Sequence, residues 1–381
     1  MISPARVAAF DVLRGVHEGG FASELLLARC AALERRDAGL ASQIVFGCLR
    51  FQGQLDFLIR HFAGRGPKLD PEVRIALRMG IYQMRYLERI PPHSAVSESV
   101  ELVKRARKRS AAAFVNAILR KVHRDPVGWP DRATALSCPE WLLSKWEAQF
   151  GAEIAKRIAE TANCEPELYV RAPGAGPGLE PTVVPGCYCV ADGEPPPGVR
   201  IHDIASQSIV PLLELAPGLT FLDLCAAPGN KTAQALESGV HAIACDLHWR
   251  RLKNVAGCPR VVLDASRPLP FKARFDRILV DAPCSGTGTL ARNPEIKWRL
   301  QPDDLARFQQ LQIAILSNAL SALAPGGRAV YSTCSLEREE NEDVVAAVAA
   351  RLPALGILEK RRWIPGRDCG DGFFAAVLAW T

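Results

Sequence analysis

Over residues 1–135 apolar side chains recur three and four positions apart, a spacing that predicts helices and leaves no competing strand. Ser3 and Pro4 mark a start as N-cap and first helical residue, with Val7, Phe10, Val12 and Leu13 near one face. Similar stripes cover Ala41–Leu58, Pro71–Tyr86 and Ala95–Val122, and a further one, Leu142–Ala159, follows a boundary at Trp129-Pro130 and Cys138-Pro139. From Ala172 to Val199 the pattern gives way to Pro and Gly, which predicts turns and short extended pieces. Beyond Leu219, short apolar runs alternate with helical stripes. Strands are predicted at Thr220–Leu224, His241–Asp246, Arg260–Leu263, Arg277–Asp281, Arg328–Ser332 and Phe373–Trp380, and helices at Lys231–Glu237, His248–Val255, Pro302–Leu323 and Arg338–Leu352. That alternation implies a mainly parallel sheet covered on both faces. The expected organisation is an all-α domain at 1–135, a helical connector with a Pro/Gly-rich linker or reduced subdomain at 136–215, and an α/β doubly wound, Rossmann-like domain at 216–381.

Composition and charge narrow the class. A chain of 381 residues with 48% hydrophobic content can bury substantial cores. No apolar run approaches the roughly 18 residues that span a bilayer, and Met1-Ile2-Ser3-Pro4-Ala5-Arg6 opens no signal peptide. The twelve cysteines are therefore expected as reduced thiols in the cytoplasm. No metal is expected either, because the close pair Cys187-Tyr188-Cys189 lacks the two-residue spacing and a second half. Residues 1–150 hold 23 Lys/Arg against 15 Asp/Glu, while residues 151–381 hold 24 against 26. The excess of positive charge, densest at Lys104-Arg105-Ala106-Arg107-Lys108-Arg109, sits on the helical part and suits a polyanion such as RNA.

The candidate chemistry gathers at strand ends, where open α/β sheets bind ligands. The first strand of the last domain runs into Asp223-Leu224-Cys225-Ala226-Ala227-Pro228-Gly229-Asn230-Lys231-Thr232, a turn of small residues that is neither a dinucleotide fingerprint nor a P-loop. Asp246 ends the second strand, in place to bind a ribose diol, and Asp264 ends the third, in place to meet an adenine edge. A ribose, an adenine and no phosphate loop point to S-adenosylmethionine. The fourth strand ends in Asp281-Ala282-Pro283-Cys284 and the fifth in Ser332-Thr333-Cys334-Ser335, which places two thiols at neighbouring strand ends. Carbon 5 of a cytosine is too weak a nucleophile to take a methyl group unless a thiolate first adds to carbon 6, and a base must later remove the carbon-5 proton. One cysteine would attack, the other would assist release, and Asp281 would hydrogen-bond the N3/N4 edge; the residues alone do not say which thiol does which. Lys231 is a candidate for the cation that lowers the thiol pKa from about 8.5. Cys30, Cys48, Cys164 and Cys245 read instead as small buried hydrophobes.

DLCAAPGNKT, DAPCSGTGTLARNPEIKW and YSTCSLEREENEDVV resemble, in order, the signature motifs of the RNA cytosine-C5 methyltransferases. IPPHSAVSESVELVKR and FVNAILRKV resemble the NusB-like RNA-binding domain carried by the bacterial 16S rRNA branch of that family. The resemblance implies Cys334 as nucleophile, Cys284 as the residue assisting release, and cofactor contacts at Cys225, Ala226, Ala227, Pro228, Gly229, Asn230, Lys231, Asp246, Asp264 and Asp281. It implies RNA as partner, 16S rRNA or an assembling small subunit, and a monomer is expected. The chain departs from the family at Asn230, where a second glycine is usual, and at Arg171-Ala172-Pro173, where an R-x-N motif is expected. A DNA cytosine-C5 methyltransferase would use the Pro-Cys thiol and need a large target-recognition region. Two further readings are a tRNA cytosine-C5 methyltransferase and a non-catalytic RNA-binding or assembly factor; the latter has no reason to keep Cys284, Cys334 and Asp281 together.

Overall fold

The computed structural model describes residues 2–64, 68–191 and 194–381. The chain forms two compact units, Met1–Cys164 with Leu290–Arg299, and Glu165–Thr289 with Leu300–Thr381. The expected connector at 136–215 is divided between them: helices Glu140–Phe150 and Ala152–Thr161 fall in the first and the short strands in the second.

In the helical unit, Pro4–His17, Arg35–Arg50, Pro71–Tyr86 and Pro92–Arg105 contribute apolar stripes to one core that contains Phe10, Ile44, Leu77 and Met79, all fully buried. Two predicted helices are each split. The stripe at Ala41–Leu58 breaks at Phe51 between Arg35–Arg50 and Gln52–Ala63. The one at Ala95–Val122 breaks where Arg107 takes a positive φ of 61°, ahead of Ala112–Leu119. The ten-residue segment Leu290–Arg299 belongs to this unit although it follows the Pro-Cys loop in sequence. Glu295 accepts from the Ala22 amide at 2.9 Å, Trp298 Nε1 donates to the Leu49 carbonyl at 2.7 Å, and Lys297 Nζ donates to Arg50 O and Asn163 Oδ1, both at 2.9 Å. Burial brings the Lys297 ammonium down to about 8.

The second unit begins with a small antiparallel sheet in the Pro/Gly-rich region. Its strands are β1 (Tyr169–Arg171), β2 (Leu179–Pro181), β3 (Cys187–Val190) and β4 (Arg200–Ile201), in the order β2-β3-β1-β4. The main sheet follows with β5 (Thr220–Asp223), β6 (His241–Asp246), β7 (Arg260–Val262), β8 (Phe275–Asp281), β9 (Leu323–Thr333), β10 (Leu355–Trp363) and β11 (Phe373–Trp380). Its order is β10-β11-β9-β8-β5-β6-β7, with β11 antiparallel to both neighbours and the other pairs parallel. Period-two alternation sends Leu222, Ile278, Val280, Ala329 and Tyr331 to a core shared with Ile315 and Val344. Phe221, Leu279, Val330 and Val377 go to the opposite core, shared with Ile209 and Ala235. The sheet is thus mixed, with seven strands and both faces covered.

Strand β10 is absent from the sequence reading, and its composition explains why. It is an edge strand in which the apolar Leu355–Leu358 stretch is cut short by the Glu359-Lys360-Arg361-Arg362 run that keeps the rim charged, so it lacks the full-length apolar run of the inner strands. The predicted helix His248–Val255 is a single turn, Trp249–Leu252. No helix among the described residues is long and apolar enough to cross a membrane.

Candidate functional site

Because the chain leaves β5 for β6 on one side and returns to β8 on the other, the strand order reverses at the carboxyl ends of β5 and β8. A crevice opens at such a point. Here a cavity of about 370 Å³ is lined by Cys225, Ala227, Asp246, Asp264, Asp281, Cys284 and Cys334, with Leu311 and Ile315 supplying an apolar wall. Of the ten residues expected around the cofactor, five therefore face it. Ala226, Pro228, Gly229, Asn230 and Lys231 do not line it; they build the turn behind it. Gly229 has φ 112° and a Cβ there would lie 3.0 Å from Val255 Cγ2, so this position needs glycine. Asn230 begins the helix Asn230–Leu236, so the residue that replaces the usual glycine is not asked for a left-handed conformation. Its side-chain amide donates to the Ile201 carbonyl at 3.1 Å.

The carboxylates at the strand ends are fixed by different partners. Asp246 accepts from the Ala227 amide at 3.2 Å and the His248 amide at 2.8 Å, which locks the first turn to the second strand. Asp264 accepts from the Ser266 amide and hydroxyl at 3.0 and 2.6 Å, and bonds from this serine lower its pKa. Asp281 accepts from Lys231 Nζ at 2.7 Å and from the Ser332 hydroxyl at 2.8 Å. Lys231, expected as the cation beside a thiol, is thus committed to Asp281 and to the face of Phe373, 5.0 Å from its ring centre. Asp223, buried beneath the turn, accepts from the Thr232 hydroxyl at 2.7 Å, and burial raises its carboxyl to about 7.

Cys284 and Cys334 come together with their sulfurs 3.4 Å apart. The hydrogen bond with Cys334, and then burial, push the Cys284 thiol well above its ordinary value. The loops that carry them are tied by Gly288 N donating to Cys334 O at 2.9 Å and Ala282 N donating to Ser332 O at 2.8 Å. A Cβ on Gly288 would fall 2.1 Å from the Gly372 carbonyl oxygen, so the Gly-rich turn is set by this close approach. Among the other thiols, Cys48 and Cys245 are buried as expected, whereas Cys30 is half-buried and Cys164 is exposed at the helix end, donating to Glu160 O. No cluster of three metal-binding side chains occurs among the described residues.

Two features of the sequence acquire a different meaning in three dimensions. Arg171, which stands where an R-x-N motif is expected, pairs with Glu237 at 2.8 and 2.9 Å and donates to Pro185 O and Gln207 Oε1. In the basic patch of the helical unit, Lys104 pairs with Glu101, Arg105 with Asp11 and Lys108 with Asp70, while Arg107 and Arg109 stand outside these pairs. Sequence reasoning also missed Glu340 and Gln312, which support the thiol loops from within the core. Nothing in the run Glu337-Arg338-Glu339-Glu340-Asn341-Glu342 separates a buried carboxylate from solvated ones.

Family comparison agrees with this architecture. Residues 210–379 match the model described as 16S rRNA methyltransferase RsmB/F, and residues 3–124 match the NusB family. The chain is 38% identical to ribosomal RNA small subunit methyltransferase B of Thermus thermophilus, over 91% of its own length and 88% of that protein. It is 32% identical to the protein of the same name from Klebsiella pneumoniae, over 98% and 97%. Among solved structures, that of PH0851 superposes with a TM-score of 0.84 at 22% identity, covering 100% of this chain and 99% of the other. A methyltransferase homologue from Pyrococcus horikoshii gives 0.57 at 24% identity over 65% and 97%; both likenesses speak to the fold. With a NusB-type helical unit ahead of a methyltransferase sheet, and relatives of this identity over nearly the whole chain, the protein belongs to the ribosomal RNA small subunit methyltransferase B family of S-adenosylmethionine-dependent RNA methyltransferases.

Proposed function

We propose that this chain transfers a methyl group from S-adenosylmethionine to carbon 5 of a cytosine in 16S rRNA, with Cys334 bonding transiently to carbon 6. The observation that carries the reading is a pair of thiols 3.4 Å apart at a cavity edged by Asp246, Asp264 and Asp281. The cavity volume falls in the range of small-molecule sites. Asp246 would take the ribose diol, Asp264 the adenine edge, and the turn from Cys225 to Lys231 the remainder. When bound, the cofactor supplies an electrophilic methyl group carried on a sulfonium.

The protein's own residues make carbon 5 receptive. As the Cys334 thiolate adds to carbon 6, the double-bond electrons move to carbon 5, which becomes the nucleophile. After methylation a base removes the carbon-5 proton, the double bond re-forms, and the sulfur–carbon bond breaks with its electrons returning to Cys334. The hydrogen bond with Cys334, and then burial, raise the Cys284 thiol, so Cys284 would rest protonated beside the attacking sulfur. Adduct formation consumes the Cys334 charge and removes the first cause of the Cys284 rise. Cys284 would then release its proton to water and, as the thiolate, take the carbon-5 proton. Asp281, held by Lys231 and Ser332, would accept from the cytosine amino group.

The enzyme would act as a cytoplasmic monomer on rRNA or an assembling small subunit, with residues 1–135 supplying phosphate contacts. Bisulfite sequencing of 16S rRNA and tRNA from strains with and without the gene tests this. Loss of one protected cytosine in 16S rRNA is expected. A loss confined to tRNA would change the substrate, and no loss at all would overturn the reading.

A further inference from the structure

Glu340 lies in a run of charges that solvent would ordinarily receive, yet it is fully buried at 0% exposure. Its carboxylate meets four donors. Oε1 accepts from the Ser285 amide at 2.8 Å and from Gln312 Nε2 at 3.0 Å, and Oε2 accepts from the Ser285 and Ser335 hydroxyls. Ser285 follows Cys284 in the chain and Ser335 follows Cys334. Gln312 also donates to the carbonyl of Pro283, the residue before Cys284, at 2.9 Å. The adjoining Asn341 donates to Ser335 O at 2.9 Å, and the Tyr331 hydroxyl donates to Glu340 O at 2.6 Å.

The register between β8 and β9 ends at Asp281 and Ser332, so beyond those residues the ladder no longer dictates how the two loops lie. There the Gly288 amide on the Cys334 carbonyl and the Thr287 hydroxyl under the Leu336 amide tie the loops further along, while the carboxylate is the group that holds the residue after each cysteine at once. With two oxygens and about four lone-pair directions, an ionised carboxylate can accept all four bonds together, which no other side chain of this size does. Resting on the reading of Cys334 and Cys284 as the reacting pair, we propose that Glu340 is a positioning residue: it fixes the separation and aim of the two thiols by gripping the residue after each. Being wholly buried, it touches neither RNA nor cofactor and acts only through the loops.

The experiment compares Glu340→Ala, Glu340→Gln and Gln312→Ala in the full chain. It reads single-turnover methyl transfer, cofactor affinity, melting temperature, and the rate at which a mild thiol oxidant links Cys284 to Cys334, followed by mass spectrometry. Displacing a thiol by about 1 Å is enough to slow transfer on the order of 100-fold, and that loss is expected for Glu340→Ala. Cofactor affinity should be unchanged and oxidative pairing slowed. Glu340→Gln, which keeps the volume and one acceptor oxygen, should recover part of both rates, and it carries the comparison if the alanine variant does not fold. Gln312→Ala, which removes the Pro283 contact and one of the carboxylate's four donors but leaves the bonds from both serines, should show the smaller effect. Wild-type pairing and transfer in Glu340→Ala, or losses that merely follow the folded fraction, would overturn the proposal. Should Cys334→Ala transfer methyl as wild type does, the cysteine mechanism fails, while oxidative pairing still decides whether Glu340 sets the thiol separation.

Discussion

The sulfur atoms of Cys284 and Cys334 meet at 3.4 Å although fifty positions separate them in the chain, and the bond between them, with burial, pushes the Cys284 thiol well above its ordinary value. If Cys334 is the attacking group, Cys334→Ala should abolish methyl transfer and form no covalent adduct. Cys284→Ala should still attack and transfer but release slowly, so a protein–RNA complex should survive denaturing electrophoresis. A retarded band with Cys334→Ala alone would reverse the two roles.

Asp246 bears on cofactor affinity through its position at the end of β6. Its carboxylate holds the Ala227 and His248 amides while lining the cavity. Asp246→Ala should weaken S-adenosylmethionine binding by about 1.5 to 3 kcal/mol, the worth of a hydrogen bond to a charged acceptor. Calorimetric titration reads this directly, and wild-type affinity would remove Asp246 from the site.

For the basic patch, the ion pairs sort the cations. Arg105, Lys104 and Lys108 already have carboxylate partners, so the cations outside those pairs, Arg107 and Arg109, should account for most of the phosphate attraction. Replacing both with Ala should reduce the log-log salt slope of RNA binding by up to about 0.7 to 0.9 for each phosphate no longer neutralised. Cofactor affinity should not change. An unaltered slope would make the patch a solvated face.

Asp223 supplies a pH signature. Burial raises its carboxyl to about 7, so between the unfolded value near 4 and that point the folded chain holds a proton that the unfolded chain has released. Stability from this group is present below about pH 4 and is lost as pH rises towards 7, by an amount on the order of a few kcal/mol. Asp223→Asn should therefore gain melting temperature over the wild type as pH increases through this window, measured without cofactor. A constant difference across the window would mean that Asp223 does not titrate there.

Much of the sheet can be read from the chain because its buried strands are short apolar runs closed by Asp, Pro or Gly. Asp223, Asp246 and Asp281 stand at those closures, and the fold needs only the strand order to bring them to one end of the sheet. Strand β10 escapes because an edge strand is selected for charge, and the breaks at Phe51 and Arg107 escape because a local backbone angle leaves the apolar stripe intact. Lys231 is readable as a site residue, but its partner is not, since Asp281 lies fifty positions away and only the strand order brings the two together. Glu340 is hidden for a further reason: its burial follows from contacts with residues 28 and 55 positions away, and a periodic pattern carries no trace of such distances.

The assignment of Leu290–Arg299 to the helical unit has a consequence during synthesis. The carbonyls of Leu49 and Arg50 and the amide of Ala22 leave the ribosome long before Trp298, Lys297 and Glu295 exist to meet them. At elongation rates of roughly 5 to 20 residues per second, the interval between residues 164 and 299 is on the order of ten seconds. Through that interval the nascent helices offer these groups to water, at a seam still lacking its last segment. The helical half is therefore completed only after much of the sheet-containing half has been translated, so a chain stalled before residue 299 carries neither half in finished form.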